Sequence, residues 1–212
     1  MSGNTTTIAL VRHAESHANV GHILGSHAGC TGLSDRGREQ ARQLRAALLE
    51  TSVLSNASIA MTSRLAQAIE TYEIISPAVG GGRLKAKHDC GFCDVHCGEL
   101  DGAAEDDLVL PETIYSPVAP QGESWVGFVR RATRALTSLA LAAAGSTAVV
   151  VTHGGVIKTS LRAYGGRRYH HVEDDIGYGA LAIWEKVVDN EWTLIFYGES
   201  NSLMEGIHAP LP

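Results

Sequence analysis

Two histidines in this chain sit where a nucleophile and its partner could work together. The first is in Leu10-Val11-Arg12-His13-Ala14-Glu15-Ser16, and the second is in Val151-Thr152-His153-Gly154-Gly155. A neutral imidazole is a good nucleophile toward phosphorus, and the phosphohistidine it forms hydrolyses readily. Phosphoryl transfer otherwise demands positioning and positive charge around the equatorial oxygens. Arg12, next to His13, carries a planar guanidinium suited to a phosphate. Taken alone, the segment reads equally well as a surface Arg-His pair at a strand end.

The elements around these residues give them a common place. Thr6 to Val11 is β-branched and apolar, as is Thr147 to Val151, and both read as buried strands. Each ends one or two residues before its histidine. Ser34 is a plausible N-cap for a helix whose apolar side is Ala41, Leu44, Leu48 and Leu49. A strand over Ala57–Met61 leads into a helix from about Arg64 to Ile75, stopped by Pro77. Gly80-Gly81-Gly82 reads as a turn, and residues 83–104 read as loop. Gly122-Glu123-Ser124 opens a long helix to about Ala144, and another follows from Val156 to Tyr164. Ala180–Val188 and Trp192–Tyr197 read as two strands joined at Asp189-Asn190. The alternation predicts one α/β domain spanning 1–212, a three-layer αβα sandwich with a mostly parallel central sheet and helices on both faces. Ligands of such sheets gather at the carboxyl ends of the strands, where both histidines fall.

Composition narrows the partners. The 212 residues are 44% hydrophobic and 19% charged, with a formal charge of −6. An acidic chain lacks the broad basic face that nucleic acid or an anionic membrane needs, so neither is an expected partner. The start of the chain lacks a basic segment followed by a long apolar run, and the apolar stretch Leu136–Val151 is interrupted by polar residues. A cytoplasmic protein with reduced thiols is expected. The β-rich C-terminal segment could pair with a second copy along a sheet edge, giving a homodimer.

These motifs together resemble the histidine phosphatase superfamily, in the branch that includes cofactor-dependent phosphoglycerate mutases. LVRHAES is similar to the "RHG" signature, and Val151–Gly155 to the second-histidine motif. Leu33-Ser34, Gly37 and Gln40-Ala41 match the helix after the first motif, and Gly122-Glu123-Ser124 with Arg131 matches a "GES…R" segment. The resemblance implies that His13 is the nucleophile and that Arg12 and Asn19 contact the phosphoryl group. It implies that His153 stabilises the transition state, with the Gly154 amide adding a donor at a helix start. It also implies a general acid four residues before a glycine. Counting back from Gly98 gives Asp94, one methylene shorter than the usual Glu, with Glu99 as the competitor. Desolvation beside Phe92 and Cys93 would raise the Asp94 pKa.

The chain departs from the family pattern at two places. Ala14 replaces a glycine, which is tolerable unless the backbone needs positive φ. In Ser63–Thr71, Gln67 stands where the family carries a second phosphate-binding Arg. A charge-assisted hydrogen bond is worth about 1.5–3 kcal/mol, or roughly ten- to several-hundred-fold in rate. Arg64, three residues earlier, would compensate if it lay on the helix's first turn; otherwise it is a solvated surface residue.

The expected activity is hydrolysis of a small phosphorylated metabolite, a phosphomonoester, through a phosphohistidine on His13. About 28 residues separate Asp94 from Gly122, short for the mutases of this resemblance, so an open pocket and a phosphatase are favoured over a mutase. The alternatives are a weakened phosphoester-binding protein or repurposed chemistry in the same pocket. The mechanism needs no cofactor. His88, Cys90, Cys93, His96 and Cys97 could in principle give a Cys₃His zinc site. The second ligand pair of a structural site is not evident, however, and a domain this large folds without a metal, so none is expected. Lys158, Arg162, Arg167, Arg168, His170 and His171 form a basic group after His153, either a solvated face or a contact to an acidic part of the substrate.

Overall fold

The computed structural model describes residues 5–169, 176–187 and 190–204. In chain order the elements are β1 (Thr5–Arg12), α1 (His17–Val20), α2 (Asp35–Thr51), β2 (Ile59–Thr62), α3 (Ala66–Ile75), β3 (Lys87–His88) and α4 (Trp125–Ala142). They continue with β4 (Thr147–Thr152), α5 (Gly154–Gly165), β5 (Leu181–Val187), β6 (Thr193–Gly198) and α6 (Ser200–Met204). The six strands form one sheet in the order β3-β2-β4-β1-β5-β6. The pairings among β3, β2, β4 and β1 are parallel, while β5 runs antiparallel to both β1 and β6.

Side chains alternate across each strand, and here both faces are covered. Ala9 and Val11 of β1, with Val149 and Val151 of β4, pack on α2 and α3 through Leu44, Leu48, Tyr72 and Ile75. Ile8, Leu10, Ala148 and Val150 face the other way, onto Phe128, Ala132 and Leu136 of α4 and Val156, Ile157 and Leu161 of α5. β1 and β4 are therefore apolar without a polar face, as expected of central strands in a three-layer sandwich. Among the described residues, no helix is long and apolar enough to cross a membrane.

Most expected elements are present within two residues of their predicted limits; the strand end at Val188 and the turn residue Asp189 lie outside the described residues. One shift matters for the site. α3 begins at Ala66, with Leu65 as its N-cap, not at Arg64. Three short elements were not expected: β3, α1 and the five-residue α6. β3 has two exposed residues, which leaves no alternation to read. α1 has four residues, held by a capping box between Ser16 and Asn19 rather than by an apolar stripe.

Candidate active site

The site is built at the carboxyl ends of three neighbouring strands. β1 and β4 pair in register up to Arg12 and Thr152, so the next residues, His13 and His153, leave the sheet side by side. The His13 amide donates to the Thr152 carbonyl at 2.9 Å, and the Ser63 amide, just after β2, donates to Val151 at 2.9 Å. The chain leaves β1 toward α2 on one face and β4 toward α5 on the other. Connections that depart to opposite faces open a crevice between the strand ends.

The two imidazole centroids are 4.9 Å apart, inclined at 61°. Nδ1 of His13 lies 2.7 Å from the Ala14 carbonyl oxygen. That oxygen can only accept, so the proton sits on Nδ1 and Nε2 carries the lone pair. Burial, followed by the nearby His153, lowers the His13 pKa to about 3. Burial, followed by Arg12 and Arg131, lowers that of His153 to about 3. Both rings are therefore neutral at pH 7 in the free protein. Nε2 of His153 is 2.8 Å from the Ser63 hydroxyl. Ala14 is absent from the positive-φ residues; its backbone fits an L side chain, and its amide donates to Thr71 Oγ1 at 3.1 Å.

A cavity of about 170 Å³ opens between the histidines and is lined by Asn19, Gln67, Asp94, Ile23, Leu24 and Cys97, among others. Asn19 reaches it from α1. Its Oδ1 is engaged by the Ser16 amide and hydroxyl at 3.0 and 2.7 Å, so the Nδ2 donors remain for an oxygen in the cavity. Asp94 enters from the loop after β3. Burial raises its pKa, against the Val95 amide, His13, Arg12 and Arg131, which all lower it. Glu99 is exposed and accepts from Gln121 at 2.9 Å, away from the histidines. Of the two carboxylates weighed from the sequence, Asp94 is the one brought to the site.

The acid loop is held from behind. Glu123 and Arg131 form a two-pronged ion pair, with N···O distances of 3.0 and 2.6 Å. The same guanidinium donates to the carbonyls of Cys90, Cys93 and Asp94. Thr152 donates to the Phe92 carbonyl at 2.7 Å, tying this loop to the end of β4. The "GES…R" residues thus grip the backbone that carries Asp94. Gly155, in the first turn of α5, makes room for the acid: a Cβ there would lie 2.8 Å from Asp94 Oδ1 and 2.9 Å from the Phe128 ring. Gly98 turns the chain at φ +55°, where a Cβ would meet the Pro120 carbonyl at 2.2 Å.

Other predicted residues fall at varying distances from the cavity. Arg12 does not line it. Its guanidinium lies over the Tyr178 ring at 4.3 Å and donates to the Ile176 carbonyl, while its charge reaches His13, His153 and Asp94. Gly154 is the first residue of α5, where amides lack intrahelical acceptors. Gln67 is buried against the cavity and accepts from the Cys30 thiol. Arg64 is exposed and absent from the lining. The expectation that it replaces the missing guanidinium is corrected by the late start of α3, which leaves Arg64 before the helix rather than on its first turn. Lys158 and Arg162 are exposed on α5, and Arg168 pairs with Glu191. The side chain of Arg167 and both His170 and His171 lie outside what the structure describes. A larger groove of about 870 Å³ between β2 and α4 contains neither histidine.

The cysteine-rich segment is arranged differently from the Cys₃His set. His88 bonds Thr62 Oγ1 at 2.7 Å, and Cys97 lines the cavity. His27, a residue the sequence reading passed over, joins Cys90, Cys93 and His96. It lies 63 positions before Cys90, so no local spacing could have signalled it.

Known proteins resemble this chain in sequence and in fold. A family model for the histidine phosphatase superfamily (branch 1) matches residues 8–193. Phosphoglycerate mutase-like protein 4 of Arabidopsis thaliana is 28% identical over 208 residues, covering 93% of this chain and 87% of that one. Phosphoglycerate mutase from Bacillus anthracis superposes with a TM-score of 0.76 at 18% identity, over 95% of this chain and 96% of that one. A mycobacterial glucosyl-3-phosphoglycerate phosphatase superposes with a TM-score of 0.71 at 20% identity, over 92% and 99%. At these identities the two structural likenesses are likenesses of fold.

Proposed function

Since the chain belongs to the histidine phosphatase superfamily, branch 1, we propose that it hydrolyses a small phosphomonoester through a phosphohistidine on His13. The observation that carries this reading is the pair of neutral imidazoles 4.9 Å apart at the mouths of β1 and β4, with the His13 proton held on Nδ1 by Ala14. Nε2 of His13 attacks phosphorus as the ester P–O bond breaks. His153, the Asn19 amide and the Gly154 backbone donor receive the equatorial oxygens, and Arg12 adds charge from behind. Asp94, in the protonated form that its burial favours, gives its proton to the leaving alkoxide. Water then attacks the phosphohistidine, Asp94 takes a proton from it, and inorganic phosphate leaves with His13 restored.

The cavity holds little beyond a phosphoryl group, and the segment between Asp94 and Gly122 is short. Water entry, and hence phosphatase rather than mutase turnover, fits both features. Gln67 favours a second reading. A neutral amide tied to Cys30 binds a phosphoryl group less tightly than a guanidinium, so a pocket that retains esters without turning them over has a specific basis. Hydrolysis of an aryl phosphate by wild type and His13→Ala separates the two. The phosphatase reading expects turnover in wild type and a loss on the order of 10³-fold or more in the variant. Ester binding without turnover in either protein would favour the second.

A further inference from the structure

His27, Cys90, Cys93 and His96 lie outside the reaction just described, yet their ligand atoms all fall within 4.8 Å of one another. Cys90 Sγ is 3.3 Å from His96 Nε2 and 3.5 Å from His27 Nε2. The two imidazole centroids are 5.1 Å apart at 63°. A tetrahedral ion with metal–sulfur bonds of about 2.3 Å and metal–nitrogen bonds of about 2.0–2.1 Å has ligand–ligand edges of about 3.3–3.8 Å. The two Cys90 contacts lie in that range, and the other pairs are no wider than 4.8 Å.

The turn that carries both sulfurs is held in place, with the Arg131 guanidinium donating to the carbonyls of Cys90 and Cys93. Cys90 and Cys93 are spaced by a tight turn, with the Cys93 amide donating to the Cys90 carbonyl at 3.1 Å. The loop that carries His27 is itself pinned. Asp101 accepts from the amides of Ser26 and Gly29 at 2.8 and 2.9 Å, and also from that of Ala28.

We propose that His27, Cys90, Cys93 and His96 form a closed Cys₂His₂ site for a thiophilic divalent ion, best matched by Zn²⁺. Four protein ligands leave no open position, so the ion is structural. It joins two stretches of chain that both line the cavity. Ile23, Leu24 and Gly25 precede His27, Asp94 and Val95 lie between Cys93 and His96, and Cys97 follows His96. The ion therefore clamps the acid loop to the loop after α1. In a domain of this size it adds local rigidity rather than supplying the whole fold.

Metal content and Co²⁺ spectroscopy on the untagged full chain test the site without reference to turnover. About one equivalent of Zn²⁺ per chain is expected after purification without chelators. Replacement by Co²⁺ should give intense tetrahedral d–d bands and a thiolate-to-cobalt charge-transfer band. His27→Ala, on an exposed loop that does not depend on the imidazole to fold, should weaken Zn²⁺ binding by more than tenfold. Cys93→Ser should remove much of the charge-transfer band, whereas Cys30→Ser should leave metal content and spectrum unchanged. Protein that folds but takes up neither Zn²⁺ nor Co²⁺ would overturn the site. So would undiminished binding in His27→Ala, or a Cys90–Cys93 disulfide in metal-free protein from a reducing cytosol.

Discussion

Catalysis turns on which atom of His13 carries the proton and which carboxyl group faces it. Both histidines were legible as strand-end residues, because each follows on a β-branched, apolar run, Ile8–Val11 and Ala148–Val151. The sequence also ranked Asp94 over Glu99 by its spacing from Gly98. Leaving-group protonation contributes roughly 10²–10⁴-fold when the leaving group is a poor one. Asp94→Asn should therefore lower kcat/KM for an alkyl phosphate by that order. For an aryl phosphate with an acidic phenol, kcat/KM should fall less than about tenfold, since the leaving oxygen needs little help. Glu99→Gln, whose carboxylate faces Gln121, should leave both values within about twofold. Equal losses for both substrates in Asp94→Asn would place the acid elsewhere. Arg64 and His27 show where residue spacing stops being informative. The first depended on a helix boundary, which sequence fixes only to within a residue or two. The second depended on a contact across the fold.

The elements supply the site by ending in the right places. β1, β4 and β2 present His13, His153 and Ser63 in a row because their register ends together. α4 contributes through Arg131, whose grip on three carbonyls of the acid loop gives the "GES…R" motif a physical meaning its spacing did not disclose. α5 contributes its first turn. A Cβ at Gly155 would lie 2.8 Å from Asp94 Oδ1, so Gly155→Ala should displace the carboxyl group. The variant is expected to lose at least about tenfold in kcat/KM for alkyl phosphates, while overpacking against Phe128 costs about 1–3 kcal/mol of stability. Kinetics and thermal unfolding on the same preparation check both. An active, equally stable variant would mean that the acid loop is not seated as described. β3 and α1 escaped the sequence reading because elements of two and four residues are too short to carry a period. Their positions are set by pairing with β2 and by the Ser16–Asn19 box.

Across the whole molecule, two apolar layers on either side of one sheet enclose a pair of histidines that fold uncharged. The three-layer architecture was legible because the strands alternate with amphipathic helices, and so was the β5–β6 hairpin from its short connection, whereas the antiparallel pairing of β5 with β1 came only with the structure. Folding neutral histidines makes stability depend on pH with a definite sign. His13 has a folded pKa of about 3, below the ordinary 6.5, and is faced by His153, Tyr178, Arg12 and Asp94. The native state therefore binds fewer protons than the unfolded chain between these values. Stability is full above about pH 6.5 and falls as pH drops toward 3, by up to about 1.4 kcal/mol per pH unit for each such histidine. Asp94, raised by burial, acts in the opposite sense. Denaturant unfolding at a series of pH values should show a shallower acid slope in His13→Gln than in wild type, and identical slopes would mean that His13 is not buried neutral. The covalent step on His13 is central to the proposed reaction. Wild-type protein mixed with an aryl phosphate, quenched in alkali within the first turnovers and digested, should yield a phosphorylated peptide containing His13 that is absent from His13→Ala. Phosphate release without any phosphoryl adduct on His13, or turnover that survives in His13→Ala, would contradict it.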